Sequence, residues 1–288
     1  MLLDGIETML VLAQEKTMSK TGSALYISQS AVSKRIANLE RHLGKKLIEP
    51  KGRYVALTAD GLALIRNVGP VFEQLRGQLS EQKNYESTDT ILPIDCSETL
   101  VAGYFSKVLA SCFALDSKIR LSTNHTPRII ENVKSGKAVI GLCAGHLTPH
   151  HGLLTFHLFD EPFYVVSASS LKSLPDELIT TDLRNNANSY QAGILAGLNI
   201  TPLMEIDSYS AAVQLALSGA TPALAPLSII RTLKVPTKNF FTFDELQPIC
   251  RPIYLCVRKN NSRLPRINTV MEAVQTSIEH LRLDSHVI

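Results

Sequence analysis

The sequence predicts an α/β protein with an all-α-rich N-terminal part, organised as two domains. Three observations carry this expectation. Apolar residues recur at helical spacing through residues 1–80 and then give way to short apolar strands alternating with helices. The 288 residues are more than one ordinary domain needs. The charge is also divided: ten Lys/Arg against six Asp/Glu give net +4 in residues 1–66, whereas 19 against 20 give net −1 in the rest. A basic module joined to a nearly neutral one suits a chain in which only the first part meets a polyanion.

Composition excludes several classes. With 45% apolar and 19% charged residues the chain can bury real cores, which sets aside disorder and fibres. Cys96, Cys112, Cys143, Cys250 and Cys256 are scattered without a C-x-x-C pair, so neither a disulfide framework nor a zinc-finger pattern is written, and a reducing compartment fits. Asp4 and Glu7 stand where a signal peptide carries positive charge, so the expected location is cytoplasmic. Ser208 to Ile230 is free of charge over 23 residues, long enough to span a bilayer, yet Gln214, Pro222 and Pro226 interrupt it. A helix followed by a buried strand is expected there, and no membrane partner.

The first elements are short helices. Leu3, Ile6, Met9, Leu10 and Ala13 make an amphipathic helix ending near Lys16, and Ser19 is the expected N-cap of a second helix, Lys20 to Leu25. After a tight turn Ser28 caps a third, whose Val32, Ile36, Leu39 and Leu43 form the apolar seam and whose end is Gly44. Two helices joined by a three-residue turn make a helix-turn-helix. The third helix exposes Gln29, Ser30, Ser33 and Lys34 in its first turns, where such motifs meet base edges, with Ser28 and Arg35 beside them. Seven basic and two acidic residues fall between Ser28 and Arg53, net +5, a phosphate-binding footprint. Leu47-Ile48 and Tyr54 to Leu57 flank a turn carrying Lys51 and Arg53, which reads as a hairpin wing with a basic tip. A basic helix alone is usually a solvated face; here caps, turn, polar first turn and hairpin occur in order, which favours DNA.

A long helix follows. Thr58 is its expected N-cap, and Ile65, Val68, Phe72, Leu75 and Leu79 are spaced 3, 4, 3 and 4, a coiled-coil seam suited to dimerisation or to packing on its own domain. Gly69-Pro70 should kink or break it. Ser80 to Thr90 is polar and reads as a hinge. From Ile91 strands and helices alternate (91–94, 100–113, 119–123, 127–135, 139–143, then 162–167, 208–218, 223–227, 253–257 and a last helix near 265–283), the pattern of a parallel sheet. Such sheets bind ligands beyond their strand ends, at helix N-termini. Ser97, Glu98 and Thr99, then Thr126 and Arg128, are so placed and suit a carboxylate or another small polar ligand, with Asn188, Ser189 and Ser208 further along the chain as weaker candidates.

Residues 1–58, above all the run from Ser28 to Glu40 (SQSAVSKRIANLE), then Leu43-Gly44 and Leu57-Thr58-Ala59-Asp60-Gly61, closely resemble the LysR-type transcriptional regulators. The family usually has Pro where this chain has Ser30, an Arg near Glu49-Pro50, and Ala-Gly at Asp60-Gly61. The resemblance implies a winged helix-turn-helix over 1–58, a linker helix and hinge over 59–89, and an effector-binding domain over 90–288. That domain would be two-lobed and periplasmic-binding-protein-like, with lobe I about 90–163 plus 264–288 and lobe II about 164–263. It further implies double-stranded promoter DNA, a small-molecule effector, a second copy of the chain in a homodimer or homotetramer, and RNA polymerase as partners. In the second domain the family's usual Gly after the first strand is Asp95 here, and its usual Asp in the third strand is Val139.

Other chemistries find little support. His146, His150 and His151 share one stretch without a carboxylate or cysteine at ligand spacing, so a solvated loop is expected and no metal. Cys96 adjoins the expected cleft and raises a redox-responsive alternative, although a small buried cysteine is the simpler reading. No G-x-S-x-G, G-x-G-x-x-G, P-loop or H-E-x-x-H pattern points to catalytic residues or a cofactor, which leaves an enzyme or a pure solute-binding module as the rival classes.

Overall fold

A computed structural model describes residues 2–52, 54–147 and 151–284. The chain forms two compact units, Met1–Leu79 and Ser80–Ile288.

The first unit contains α1 (Leu2–Glu15), α2 (Met18–Leu25), α3 (Gln29–Leu43), the hairpin β1 (Ile48–Lys51) and β2 (Tyr54–Leu57), and α4 (Ala59–Ser80). Met9, Leu12, Val32, Ile36, Leu39 and Leu47 make its core. The expected seam of α3 is therefore buried except at its last position, Leu43, which is 39% exposed. The cap of α2 is Thr17 rather than Ser19: the Thr17 hydroxyl accepts from Lys20 N at 3.3 Å, so the helix begins two residues earlier, at Met18. Ser28 caps α3, accepting from Ala31 N at 3.2 Å, and Gly44 closes it with φ +66°, a left-handed conformation glycine takes without strain. Thr58 caps α4 through Gly61 N at 3.1 Å.

Pro70 does not divide α4, which runs on as one helix. Proline removes a single hydrogen bond and costs about 3 kcal/mol in a helix interior. Contacts to α1 on either side of it hold the helix together: Gly69 lies against Leu10, and Arg76 pairs with Glu7 at 2.7 Å.

The second unit is a mixed sheet in the order β4-β3-β5-β11-β6-β9-β7-β8, with β10 (Phe240–Phe241) also on β6. Lobe I holds β3 (Leu92–Cys96), β4 (Ile119–Thr123) and β5 (Ile140–Ala144), mutually parallel. Lobe II holds β7 (Glu177–Thr180), β8 (Thr201–Glu205) and β9 (Ala223–Pro226), again parallel. Two antiparallel strands join them, β6 (Leu154–Val166) and β11 (Cys250–Val257). The all-parallel sheet expected from sequence is thus interrupted where the chain crosses between lobes. Because β11 pairs with β5 along Ile253 to Val257, the return crossing falls at Cys250 and Arg251, not near residue 263.

Helices cover the sheets. α5 (Glu98–Leu100), a π turn (Val101–Phe105) and α6 (Ser106–Leu115) follow without a break as one 18-residue helix. By length and composition that helix could cross a membrane, but Leu100, Phe105 and Leu109 are fully buried in the lobe I core with Ile94, Leu255 and Val274 of α11 (Pro265–Asp284). α7 (Thr126–Lys134) covers the other face of this sheet. The charge-free stretch from Ser208 resolves into α9 (Tyr209–Leu217), β9 and α10 (Leu227–Thr232), while α8 (Ser189–Gly197) and β7 carried no sequence signal strong enough to place them. Residues 81–90 are bound to lobe I. Glu81 accepts from Arg258 Nε (2.7 Å) and Asn260 (2.8 Å), and Arg266 Nη1 donates to the carbonyls of Tyr85, Ser87 and Thr90.

Candidate nucleic-acid interface and effector cleft

The capped start of α3 presents Gln29, Ser33 and Lys34 to solvent, while Ser28 and Ser30 share a hydroxyl contact of 2.9 Å at the helix entrance. A groove of about 720 Å³ separates this face from the hairpin, with Gln29, Ser33 and Ala37 on one side and Glu49, Pro50 and Tyr54 on the other. Lys51 ends β1 opposite Tyr54, beside Gly52 at φ +64°; Arg53 lies outside the described residues. Arg35 is half-buried and reaches Asp4 at 4.0 Å, so part of its charge is answered by α1.

The net +5 is not all available to phosphate. Lys45 pairs with Asp60 at 2.6 Å and Lys46 with Glu40 at 2.9 Å, whereas Lys34 and Lys51 have no ion-pair partner among the described residues. Glu40, read from sequence only as a negative charge, is a buried strut: it also accepts from Leu47 N (2.8 Å) and Ile48 N (3.4 Å), fixing the hairpin to α3. Burial opposes its ionisation, but the Lys46 ammonium and the two N–H groups prevail and hold the carboxyl below its ordinary range. Tyr26, 97% exposed at the turn between α2 and α3, was not singled out by sequence reasoning, because nothing in a tyrosine's neighbours announces exposure.

Along α4 the expected seam divides. Phe72 is already buried in the single chain, with the Arg76 guanidinium 5.9 Å from its ring centre. Ile65 and Val68 are half-buried, whereas Leu75 and Leu79, with Val71 and Leu62, are exposed. An apolar stripe of this kind on a helix calls for a covering surface.

In the second unit a cleft of about 420 Å³ opens between the lobes. Ser97, Glu98, Thr99 and Thr126 line it from lobe I and Ser208 from lobe II, with Tyr209, Asp207 and Asn188. Four helix starts therefore converge here, at Ser97, Thr126, Asn188 and Ser208, as the strand-end rule expects. Ser208 caps α9 by accepting from Ala211 N (3.3 Å), and Thr126 is tied to both the carbonyl (2.7 Å) and the N–H (3.0 Å) of Ala144. Arg128 stands apart: it pairs with Glu131 at 3.1 Å along the exposed side of α7 and does not line the cleft. Its place in the helix's first turn made it a candidate, but the helical rotation turns it away. Ser189 is exposed and likewise does not line it.

The floor of the cleft is the residue sequence reasoning missed. Arg251, 3% exposed where β11 crosses between lobes, donates Nε to Glu161 on β6 and Nη2 to Thr99 Oγ1 (2.9 Å) and Ser228 Oγ (3.1 Å). Glu161, fully buried, also accepts from Tyr104 OH (2.9 Å) and Ser228 N (2.6 Å). Burial opposes the charge on Arg251, but Glu161 outweighs it and keeps the guanidinium protonated. The pair ties both crossover strands to Thr99 in the cleft wall of lobe I and to Ser228 at the start of α10 in lobe II. A Glu and an Arg 90 residues apart give no signal in a linear sequence.

Other singled-out residues have structural partners. Asp95, which replaces the family's usual Gly, is buried and held by Asn124 (2.9 and 3.1 Å) and Asn132 (2.6 Å). Cys96 is fully buried, and burial together with Asp95 pushes its thiol far above the usual range, which denies it the thiolate a redox sensor uses. The His146 ring packs on Tyr190 with centres 4.5 Å apart, and His151 Nδ1 accepts from Leu153 N at 3.1 Å; His150 lies outside the described residues.

Comparisons with known proteins agree with this arrangement. The family model described as bacterial regulatory helix-turn-helix protein, lysR family, matches residues 3–62, and that described as LysR substrate binding domain matches residues 87–279. An HTH-type transcriptional regulator of Vibrio cholerae is 55% identical over 278 residues, spanning 96% of this chain and 97% of the relative. Among solved structures, a full-length OxyR variant from Pseudomonas aeruginosa aligns over 96% of this chain and 94% of its own with TM-score 0.58 at 20% identity. CbnR, a LysR family transcriptional regulator, aligns over 96% and 99% with TM-score 0.58 at 18% identity, a likeness of fold. The chain belongs to the LysR family of transcriptional regulators, with a helix-turn-helix DNA-binding domain followed by a LysR substrate-binding domain.

Proposed function

We propose that this regulator binds an inverted repeat in promoter DNA through α3 and the β1–β2 wing, and that a small molecule held between the lobes of the second unit changes that binding. Ser28, Gln29, Ser30, Ser33 and Lys34 are the proposed groove contacts, with Arg35, Lys51 and Arg53 on phosphate. The observation that carries this reading is the exposed polar first turn of α3 facing a groove whose far wall is the hairpin. The seam of Ile65, Val68, Phe72, Leu75 and Leu79 serves assembly with a second copy, in a homodimer or homotetramer, through its exposed members; Phe72 contributes by shaping the helix face from within. Ser97, Glu98, Thr99, Thr126 and Ser208 are the proposed effector contacts, and Arg128 is not among them.

Effector binding would act as a population shift between lobe arrangements, altering the spacing of paired recognition helices and the bend in the DNA. The chain acts on transcription as a regulator rather than an enzyme, in the cytoplasm, with RNA polymerase as the partner that reads its position on the promoter. Gel-shift titration of the full chain against its own upstream region tests this. A salt-sensitive, site-preferring complex is expected, and Lys34→Ala should weaken it about tenfold or more. Equal affinity of Lys34→Ala and the parent chain would overturn the contact assignment.

A further inference from the structure

We propose that the ligand of the inter-lobe cleft is a small polar zwitterion of the α-amino-acid class, its carboxylate seated on Arg251 and the Ser97–Thr99 hydroxyls and its ammonium answered by Glu98 and Asp207. This rests on the effector reading above and names its ligand class.

The walls come first. Of the described side chains lining the cleft only Ala144, Ala187 and the Tyr209 ring are apolar, while the rest offer hydroxyl, amide, imidazole or charged groups. A ligand with a large apolar body would strip water from these groups without replacing their hydrogen bonds, which is costly. A compact polar ligand is selected.

The anion end is built. Arg251 Nε and Nη2 are committed to Glu161, Thr99 and Ser228, and its third nitrogen, Nη1, has no acceptor among the described residues although the side chain is buried and borders the cleft. Thr99 Oγ1 lies 3.2 Å from Ser97 Oγ, so guanidinium and both hydroxyls form one arc. The N–H groups of Glu98 and Thr99, at the start of the 18-residue helix, have no acceptor within that helix. Glu161 fixes the guanidinium in place, so a carboxylate meets donors that need no reorganisation.

The cation end follows from charge. Glu98 has no ion-pair partner among the described residues, and Asp207 has only His125 at 3.7 Å across the cleft. Among the described residues two carboxylates thus face the cleft against one guanidinium that Glu161 already balances. A dianion would meet an excess of negative charge, and a simple monocarboxylate would leave Glu98 without a counter-charge and Asp207 with only the His125 imidazole at 3.7 Å. A zwitterion satisfies both ends.

The test is calorimetric titration and thermal shift on the full chain, with the twenty proteinogenic amino acids as probes. Each binder is compared with its 2-hydroxy-acid analogue, its decarboxylated amine, and succinate. The expected result is a raised Tm with at least one polar amino acid, about tenfold or weaker binding of the hydroxy acid and the amine, and no binding of succinate. Asp207→Asn, a change at an exposed side chain that should fold, is expected to weaken the amino acid about tenfold while changing the hydroxy acid no more than about twofold, which separates loss of the ammonium contact from general damage. Binding of succinate or a hydroxy acid as tightly as any amino acid, or no response to all twenty, overturns the ligand class. In those cases a promoter complex in the gel shift leaves the regulator reading standing; its absence removes that reading as well.

Discussion

Removing one member of the Glu161–Arg251 pair should damage the second unit more than removing both. Each charge is taken almost wholly out of water, at 0% and 3% exposure, and each is answered chiefly by the other. Breaking such a pair from one side costs about 3–5 kcal/mol, whereas replacing both members with apolar residues is often close to neutral. The structure makes the two single changes unequal. Arg251→Leu leaves Glu161 with Tyr104 OH at 2.9 Å and Ser228 N at 2.6 Å, two donors that still stabilise the carboxylate. Glu161→Leu leaves the guanidinium with hydroxyls alone, from Thr99 and Ser228, and orphans Tyr104 OH and Ser228 N besides. Glu161→Leu should therefore be the worse, near the upper end of that range, and Arg251→Leu near the lower.

With a urea dependence of about 2–3 kcal/mol per M, the transition midpoint should fall by about 1–2 M in each single variant. The double variant should recover most of the loss. Six of the eight tyrosines lie in residues 80–288 and the chain has no Trp, so tyrosine fluorescence reports mainly on this unit. Losses that simply add in the double variant would show that the two charges are not answering one another.

Gly103 lies where the π turn meets the start of α10, and a Cβ there would overlap Ser228 Cβ and sit 2.9 Å from Ser228 O. Gly103→Ala must push these segments apart, at about 1–3 kcal/mol, and should lower Tm and weaken any cleft ligand together; an unchanged Tm would contradict the close approach. Asn132→Leu removes the 2.6 Å donor to buried Asp95 and should cost about 1–3 kcal/mol in urea unfolding, with Asp95→Asn in the same background restoring part of it. Arg266 holds the Asp116 carboxyl below its ordinary range. Because the folded value is depressed, the contribution is present above the unfolded value of about 3.9 and is lost as pH falls through the folded value. Arg266→Gln should therefore lower stability at neutral pH and flatten the acid limb of the stability curve below pH about 4, as read by urea midpoints across pH.

The parts that sequence made legible are those whose physics is local. Ser28, Gly44 and Thr58 terminate helices through hydrogen bonds within a few residues, and Val32, Ile36 and Leu39 declare a buried face by period alone. The cleft was legible in the same way, since Ser97 to Thr99, Thr126 and Ser208 sit at helix starts that follow strand ends. Thr17 was missed because two hydroxyl residues compete for one cap and only the turn geometry chooses. Arg251 and Glu161 were missed because their pairing depends on two crossover strands meeting side by side, and β6 itself was seen only in its second half. Arg128 was overvalued because proximity to a helix start does not say which way a side chain points. The antiparallel crossing at Cys250 could not be read from βαβ alternation, which only describes strands within a lobe.

Nuclease footprinting of the full chain on its own upstream region is the most direct test of the account, since it reads recognition and assembly together. The prediction is protection of an inverted repeat whose half-site centres lie a whole number of helical turns apart, about 10 bp each, with protection lost in Lys34→Ala and reduced to isolated half-sites or nothing in Leu75→Glu/Leu79→Glu. Protection without two-fold symmetry, or an identical footprint in all three proteins, would contradict it.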